Sequence, residues 1–273
     1  VYRDVLARFS AHELAGQARY GLAWCLYEGG QHGDAARELD LLVDTPQLAP
    51  ELARSALELL VWARSKSKDA AGTVEAYGRF ARCGAEPAKL LGAARLAGAA
   101  LKDEGKPLEA RVVYEDLLRA SRDRDVQVSA LIECAWLAID AKDADEAEAL
   151  VRTTWKLTPQ AATQAALAEA SFFVGELRFA AHDEARALAL YELAELHGAP
   201  GLKAQALYKC GFTRLRNDEF DAAALCFARV ASEHAAHELA GESRYLLGES
   251  HARAKHFDEA IEAARGGAID AIV

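Results

Sequence analysis

Apolar residues recur along this chain at intervals of three and four, as around Leu96, Ala97, Ala100 and Leu101. That is the period of one buried face of a helix. No alternating apolar–polar run of useful length occurs, so the pattern predicts helices and no strands. The apolar positions also carry a longer rhythm. A small residue stands at Ala23, Gly98, Ala135, Gly175, Gly211 and Gly248, and twelve positions later an alanine stands at Ala35, Ala110, Ala147, Ala187, Ala223 and Ala260. Four positions further on comes a bulky residue at Leu39, Tyr114, Val151, Tyr191 and Phe227. A seventh, degenerate segment around residues 54 to 82 has Val61 and Thr73 in the small places and Tyr77 after them. Counting Thr73, the second anchors lie 38, 37, 37, 40, 36 and 37 residues apart. Small residues on two consecutive helices let them approach closely as an antiparallel hairpin. The bulky residue one turn later is expected to fill the space towards the next hairpin.

The punctuation agrees. Gly29-Gly30, Gly105-Lys106-Pro107, Asn217-Asp218 and Lys255-His256 mark turns within hairpins, and Pro46, Pro87, Pro159 and Pro200 fall between them. A proline inside a helix would cost ~3 kcal/mol, whereas between helices it costs little. One stretch is nearly copied. Residues 12 to 22 and 237 to 247 share eight of eleven positions at a separation of 225 residues, beginning His-Glu-Leu-Ala-Gly in both. Repetition at a fixed period decides the architecture ahead of local propensity: an array of stacked units, each burying its face against its neighbours.

This pattern resembles the tetratricopeptide repeat, whose signature has Gly or Ala at the eighth position, Ala at the twentieth, an aromatic at the twenty-fourth and Pro near the thirty-second. Lys209-Cys210-Gly211 through Phe227 fits it well, as does Tyr245-Leu246-Leu247-Gly248 through Ile261. The spacing here is longer than the standard 34 residues. That spacing, with Tyr20-Gly21-Leu22-Ala23-Trp24-Cys25-Leu26-Tyr27, resembles the bacterial cell-envelope branch: Tol–Pal-associated periplasmic proteins and outer-membrane assembly lipoproteins. The resemblance implies an all-α fold, a right-handed α-solenoid of about seven hairpins filling 1–273. The repeats would run approximately 16–46, 54–85, 91–121, 128–159, 168–199, 204–235 and 241–267, with 1–11 the second helix of a truncated repeat.

The resemblance also implies a concave face lined by positions two, five, nine, twelve and thirteen of each repeat. Those positions hold Gln17, Tyr20, Trp24 and Tyr27 in the first repeat, Trp62 in the second, and Arg95 with Lys102 in the third. They hold Ile132, Trp136 and Ile139 in the fourth, Phe172 and Phe179 in the fifth, Tyr208 and Phe212 in the sixth, and Tyr245 and Arg253 in the seventh. Three of the four tryptophans share the ninth position. Trp, Tyr and Arg dominate binding hot spots, so one reading is a groove for an extended peptide or a partner helix. The competing reading is packing of each ring against the next repeat. The family's carboxylate-clamp pattern of paired Lys and Asn is absent from these positions.

Composition narrows the function. The formal net charge of −10 argues against a nucleic-acid partner, which needs a basic face. No apolar run long enough for a membrane span is present. Cys25, Cys83, Cys134, Cys210 and Cys226 show no metal-binding spacing; an odd number without a framework leans towards a reducing compartment, and helical packing predicts small buried hydrophobes. His234 and His237 are three apart at a junction between repeats, where a solvated turn is the expected reading and a metal site the alternative. No nucleophile–base pair can be argued from spacing, and nothing asks for a cofactor. The expectation is a non-catalytic interaction scaffold. Its alternatives are a structural spacer in a bacterial assembly, using lateral or convex faces, and a regulatory domain of a larger enzyme or transcription regulator. The opening Val1–Leu6 and the closing run from Gly266, which departs from the pattern, suggest a segment of a longer repeat protein.

Overall fold

The computed structural model describes residues 1–9 and 12–270. Among them, every regular element is a helix. The order is α1 (Tyr2–Arg8), α2 (Ala15–Glu28), α3 (His32–Val43), α4 (Pro50–Lys66), α5 (Ala70–Arg82), α6 (Pro87–Asp103), α7 (Pro107–Ala120), α8 (Arg124–Asp140), α9 (Ala144–Lys156), α10 (Ala161–Ala180), α11 (Glu184–His197), α12 (Pro200–Arg216), α13 (Phe220–Glu233), α14 (Leu239–Arg253) and α15 (Phe257–Asp270). The closing run from Gly266 falls in α15 as far as Asp270, and residues 271–273 lie outside the described residues.

The turns inside the hairpins share one device. Gly30, Lys68, Gly105, Lys142, His182, Asp218 and Lys255 all have positive φ, between 58° and 77°. In each case the next residue's N–H reaches back five residues, as Gln31 N to Leu26 O at 2.8 Å and Asp143 N to Ala138 O at 2.9 Å. This left-handed C-terminal turn satisfies carbonyls that the helix end leaves unpaired. The residue that follows starts the second helix. In three hairpins it is an aspartate whose carboxylate accepts a backbone N–H: Asp69 from Gly72, Asp143 from Glu146 and Asp183 from Arg186. Between hairpins, Pro50, Pro87 and Pro200 sit in the first turn of α4, α6 and α12, where a proline displaces no helical hydrogen bond.

The small anchors bring the two helices of a hairpin together. Ala23, Ala35, Val61, Thr73, Ala110, Ala135, Ala147, Ala187 and Ala223 are fully buried. The bulky follower does more than reach towards the next hairpin; it covers the small residue of its own. A Cβ at Gly175 would lie 2.7 Å from the Tyr191 ring, one at Gly211 2.8 Å from Phe227, and one at Gly98 would collide with the Tyr114 hydroxyl. A ring lies flat enough to occupy the space a missing side chain leaves. The outward contact is made as well: Tyr77 donates its hydroxyl to Val113 O of the next second helix at 3.3 Å.

The chain forms two compact units, Val1–Glu133 and Cys134–Val273. In the first, consecutive helices pack in order from α1 to α7, and α2 also touches α4, as α4 does α6. Arg64 of α4 forks onto Asp40 of α3 at 2.8 and 2.9 Å. In the second unit, α9 to α15 pack in the same serial order, with α10 also touching α12 and α12 touching α14. Arg178 of α10, buried, binds Glu148 and Asp145 of α9 at 2.6 and 2.7 Å. Arg214 of α12 binds Glu192 of α11 at 2.9 Å. These three arginines each stand three residues after their hairpin's first small anchor and tie it to the preceding second helix.

Candidate functional site

The first helices carry the aromatic residues named from the sequence, and the two units treat them differently. In the first unit, Tyr20, Trp24 and Tyr27 lie along one side of α2 at intervals of four and three, which puts all three on one helical face. Trp62 projects from α4 beside them. Together with Glu58, Leu59 and Ser55 of α4 they line an open cavity of about 430 Å³. Trp24 is 47% exposed and Trp62 40%, unusual for indoles in a folded chain, while Tyr20 and Tyr27 are half-buried. The Trp24 and Tyr27 rings stand 6.4 Å apart, and Tyr27 leans on His32 at 5.1 Å.

The polar lining is acidic. Glu58 accepts a hydrogen bond from Lys89 of α6 at 2.9 Å. Burial first, and then the Glu58 charge, raise the Tyr20 hydroxyl above its ordinary pKa, with Lys89 opposing. Burial and Glu28 do the same to Tyr27. Both hydroxyls therefore stay protonated and neutral at pH 7, available as donors.

In the second unit the corresponding rings pack on one another. Trp136 is half-buried, its ring 5.3 Å from that of Phe173. Phe173, 41% exposed, is absent from the positions chosen by resemblance and stands one residue after Phe172. Phe172 itself is buried against Tyr191 at 5.6 Å, in a cluster with Ala187 and Cys210. It is a core residue, contrary to its assignment to the open face, because its place on α10 faces Tyr191 of α11. Ile132, at the end of the first unit, is buried as well. Phe179 of α10 meets Phe212 of α12 at 6.2 Å, and Tyr208 stacks on Phe212 at 6.3 Å. The Tyr208 hydroxyl donates to Glu242 at 2.8 Å; burial and that bond push its pKa up to about 12. Here the ring positions serve helix-to-helix packing. Tyr245 is the open one, 72% exposed.

The remaining named residues lie on the surface. Gln17 and Lys102 are exposed. Arg95 donates to Glu133 at 2.7 Å, and Arg253 to Glu249 at 2.6 Å. Cys134, Cys210 and Cys226 are buried, but Cys25 is exposed, contrary to the packing expectation, because it falls on the outer side of α2 next to Trp24. Burial raises the Cys210 and Cys226 thiols, which keeps them protonated. His237 Nδ1 accepts from Leu239 N at 3.2 Å, and His12 Nδ1 from Leu14 N at 3.1 Å, so the copied stretch opens α2 and α14 by the same bond. Among the described residues no cluster of His, Cys, Asp and Glu is arranged to hold a metal, and no helix is long and apolar enough to cross a membrane.

Serial helical hairpins with small–small–bulky anchors and a face of first-helix aromatics define a tetratricopeptide-repeat type of solenoid. The structural comparisons agree on that fold. The apo form of RapI aligns over 92% of this chain and 75% of its own, with a TM-score of 0.56 at 12% identity. BtubC from P. vanneervenii aligns over 76% of this chain and 89% of its own, with a TM-score of 0.51 at 16% identity. A signal-transduction ATPase with numerous domains from Pyrococcus horikoshii, described as having a tetratricopeptide-repeat sensor, covers 99% of this chain with a TM-score of 0.51 at 10% identity. The match takes in 44% of that larger protein. No protein-family profile matches the chain, and no curated sequence does.

Proposed function

We propose that this chain is a non-catalytic interaction scaffold that docks a peptide or a partner protein on the face made by its first helices, and that the anchoring point in the first unit is the Tyr20–Trp24–Tyr27–Trp62 cavity. The observation that carries the reading is the exposure of two tryptophans, 47% and 40%, around one cavity. Half-exposed indoles on a rigid helical frame give large contact area at little entropic cost, the usual makings of a hot spot. The net charge of −10 disfavours nucleic acid as the occupant. The length of the repeat run and its likeness to part of a sensor-bearing ATPase also support a second reading, in which the chain is the sensing portion of a larger protein.

A displayed peptide library selected against the protein tests the docking reading. Peptides recovered from it should lose at least about tenfold in affinity, or ~1.4 kcal/mol, when Trp24→Ala and Trp62→Ala are combined. Far-ultraviolet circular dichroism of the double variant should match wild type, since both rings are partly solvated. Equal affinity for the double variant would remove the cavity from the function.

A further inference from the structure

We infer that the cavity in the first unit takes an arginine side chain from a basic segment of the partner. This rests on the docking reading and names its chemistry. Four ring-bearing side chains and one carboxylate, Glu58, line the same space. Ring faces attract cations, and a guanidinium stacks flat on them while its N–H groups fork onto a carboxylate. A purely apolar anchor would use the rings but cover the Glu58 carboxylate without adding a partner for it.

The second unit shows a first-helix ring already covered by cations. Phe179 stands four residues after its hairpin's first small anchor, the place Tyr27 holds in the first hairpin. Over the Phe179 ring lie the Arg216 guanidinium at 4.8 Å and the Lys209 ammonium at 5.8 Å, and Lys209 binds the Glu176 carboxylate at 2.7 Å. The position equivalent to Lys209 beside Tyr27 is Leu59, and that equivalent to Arg216 is Lys66, which does not line the cavity. The internal cations that cover the ring in the second unit are thus missing from the cavity in the first, and its carboxylate comes from a different place: Trp24 stands where the second unit has Glu176, and Glu58 where it has Tyr208. Glu58 is held by Lys89 in a pair whose side chains are 29% and 49% exposed, and a partly solvated pair of that kind is weak enough for an incoming guanidinium to compete with it. The charge of −10 favours a basic occupant further.

Fluorine NMR of protein labelled with 5-fluorotryptophan tests this, with resonances assigned through Trp24→Phe and Trp62→Phe. The probes are N-acetyl-arginine methylamide, N-acetyl-lysine methylamide and N-acetyl-leucine methylamide. The arginine probe should shift the Trp24 and Trp62 signals and bind at least about fivefold more tightly than the leucine probe. Lysine should fall between them, since it lacks the planar fork. Glu58→Gln should weaken arginine about fivefold, and Lys89→Ala should tighten it by releasing the carboxylate. Leucine binding as well as arginine, or arginine binding untouched by Glu58→Gln, overturns the arginine assignment while leaving the docking reading standing. Silence of both tryptophans to all three probes overturns the assignment too. The docking reading then depends on the library-selected peptides alone.

Discussion

At the scale of single residues, the hairpin turns carry the most definite chemistry. Seven residues adopt the left-handed conformation at the first-helix C-terminus, and five of them have a side chain: Lys68, Lys142, His182, Asp218 and Lys255. A Cβ in that conformation crowds the following carbonyl and costs roughly 1–2 kcal/mol, less for Asp, which tolerates it. Gly30 and Gly105 avoid the cost. Gly105→Val should therefore lower stability by about 1–2 kcal/mol, read as a shift of the urea midpoint at unchanged slope. Lys142→Gly should match or exceed wild type, because relief of strain offsets the extra freedom glycine has in the unfolded chain. A stabilised Gly105→Val would mean the turn does not hold this conformation. In the sequence only the glycine, proline and Asn-Asp turns, plus Lys255-His256, carry a recognisable turn signal. Lys68, Lys142 and His182 carry no turn signature, since the tertiary closure of the hairpin imposes a conformation their own propensities do not request.

At the scale of the helical element, one glycine contrast separates close packing from mere repetition of a motif. Gly211 and Gly248 hold the same position in successive hairpins, but a Cβ at Gly211 would lie 2.8 Å from Phe227, and one at Gly248 no nearer than 3.7 Å to any described side chain or backbone atom. Phe227 is fully buried and cannot swing away. Gly211→Ala should thus cost about 1–3 kcal/mol despite the better helix propensity of alanine. Gly248→Ala should be neutral or stabilising by up to ~1 kcal/mol. Equal thermal midpoints for the two variants would show that the rings yield. The cause of the difference is legible in the sequence: Ala264 replaces the ring four places after Ala260, so no ring of its own second helix presses on Gly248 from that position. The hairpins themselves were legible for the same reason, because each small–small–bulky triplet is fixed by contacts inside one repeat. The site was legible only in part. Trp24 and Trp62 were named, yet nothing local tells an open ring from a packed one. That depends on the neighbouring first helix, and Phe172 went to the core while Phe173, one residue along, stayed partly open.

At the scale of the whole molecule, stability follows from serial contact. Within the first unit α1 to α7, and within the second α9 to α15, each helix packs on the next, and in the second unit the buried clusters succeed one another: Phe172, Tyr191 and Cys210 in one, then Leu215, Phe227 and Leu246 in the next. A repeat chain of this kind is stable approximately as a sum of hairpin terms and nearest-neighbour terms. Damage should accordingly stay near where it is made. Gly211→Ala strains the contact between α12 and α13, which share clusters with α11 on one side and α14 on the other. In native-state hydrogen exchange, α12 and α13 should lose protection by about tenfold for each 1.4 kcal/mol of destabilisation. The loss in α11 and α14 should be smaller, and α2 to α5 should keep wild-type rates. A matching loss in α2 to α5 would mean that all the hairpins open together, and the additive description would fail. The result also bears on docking. If the first unit keeps its protection while the second is weakened, the Tyr20–Trp24–Tyr27–Trp62 cavity should retain its probe affinity in Gly211→Ala, since every residue lining it lies on α2 and α4.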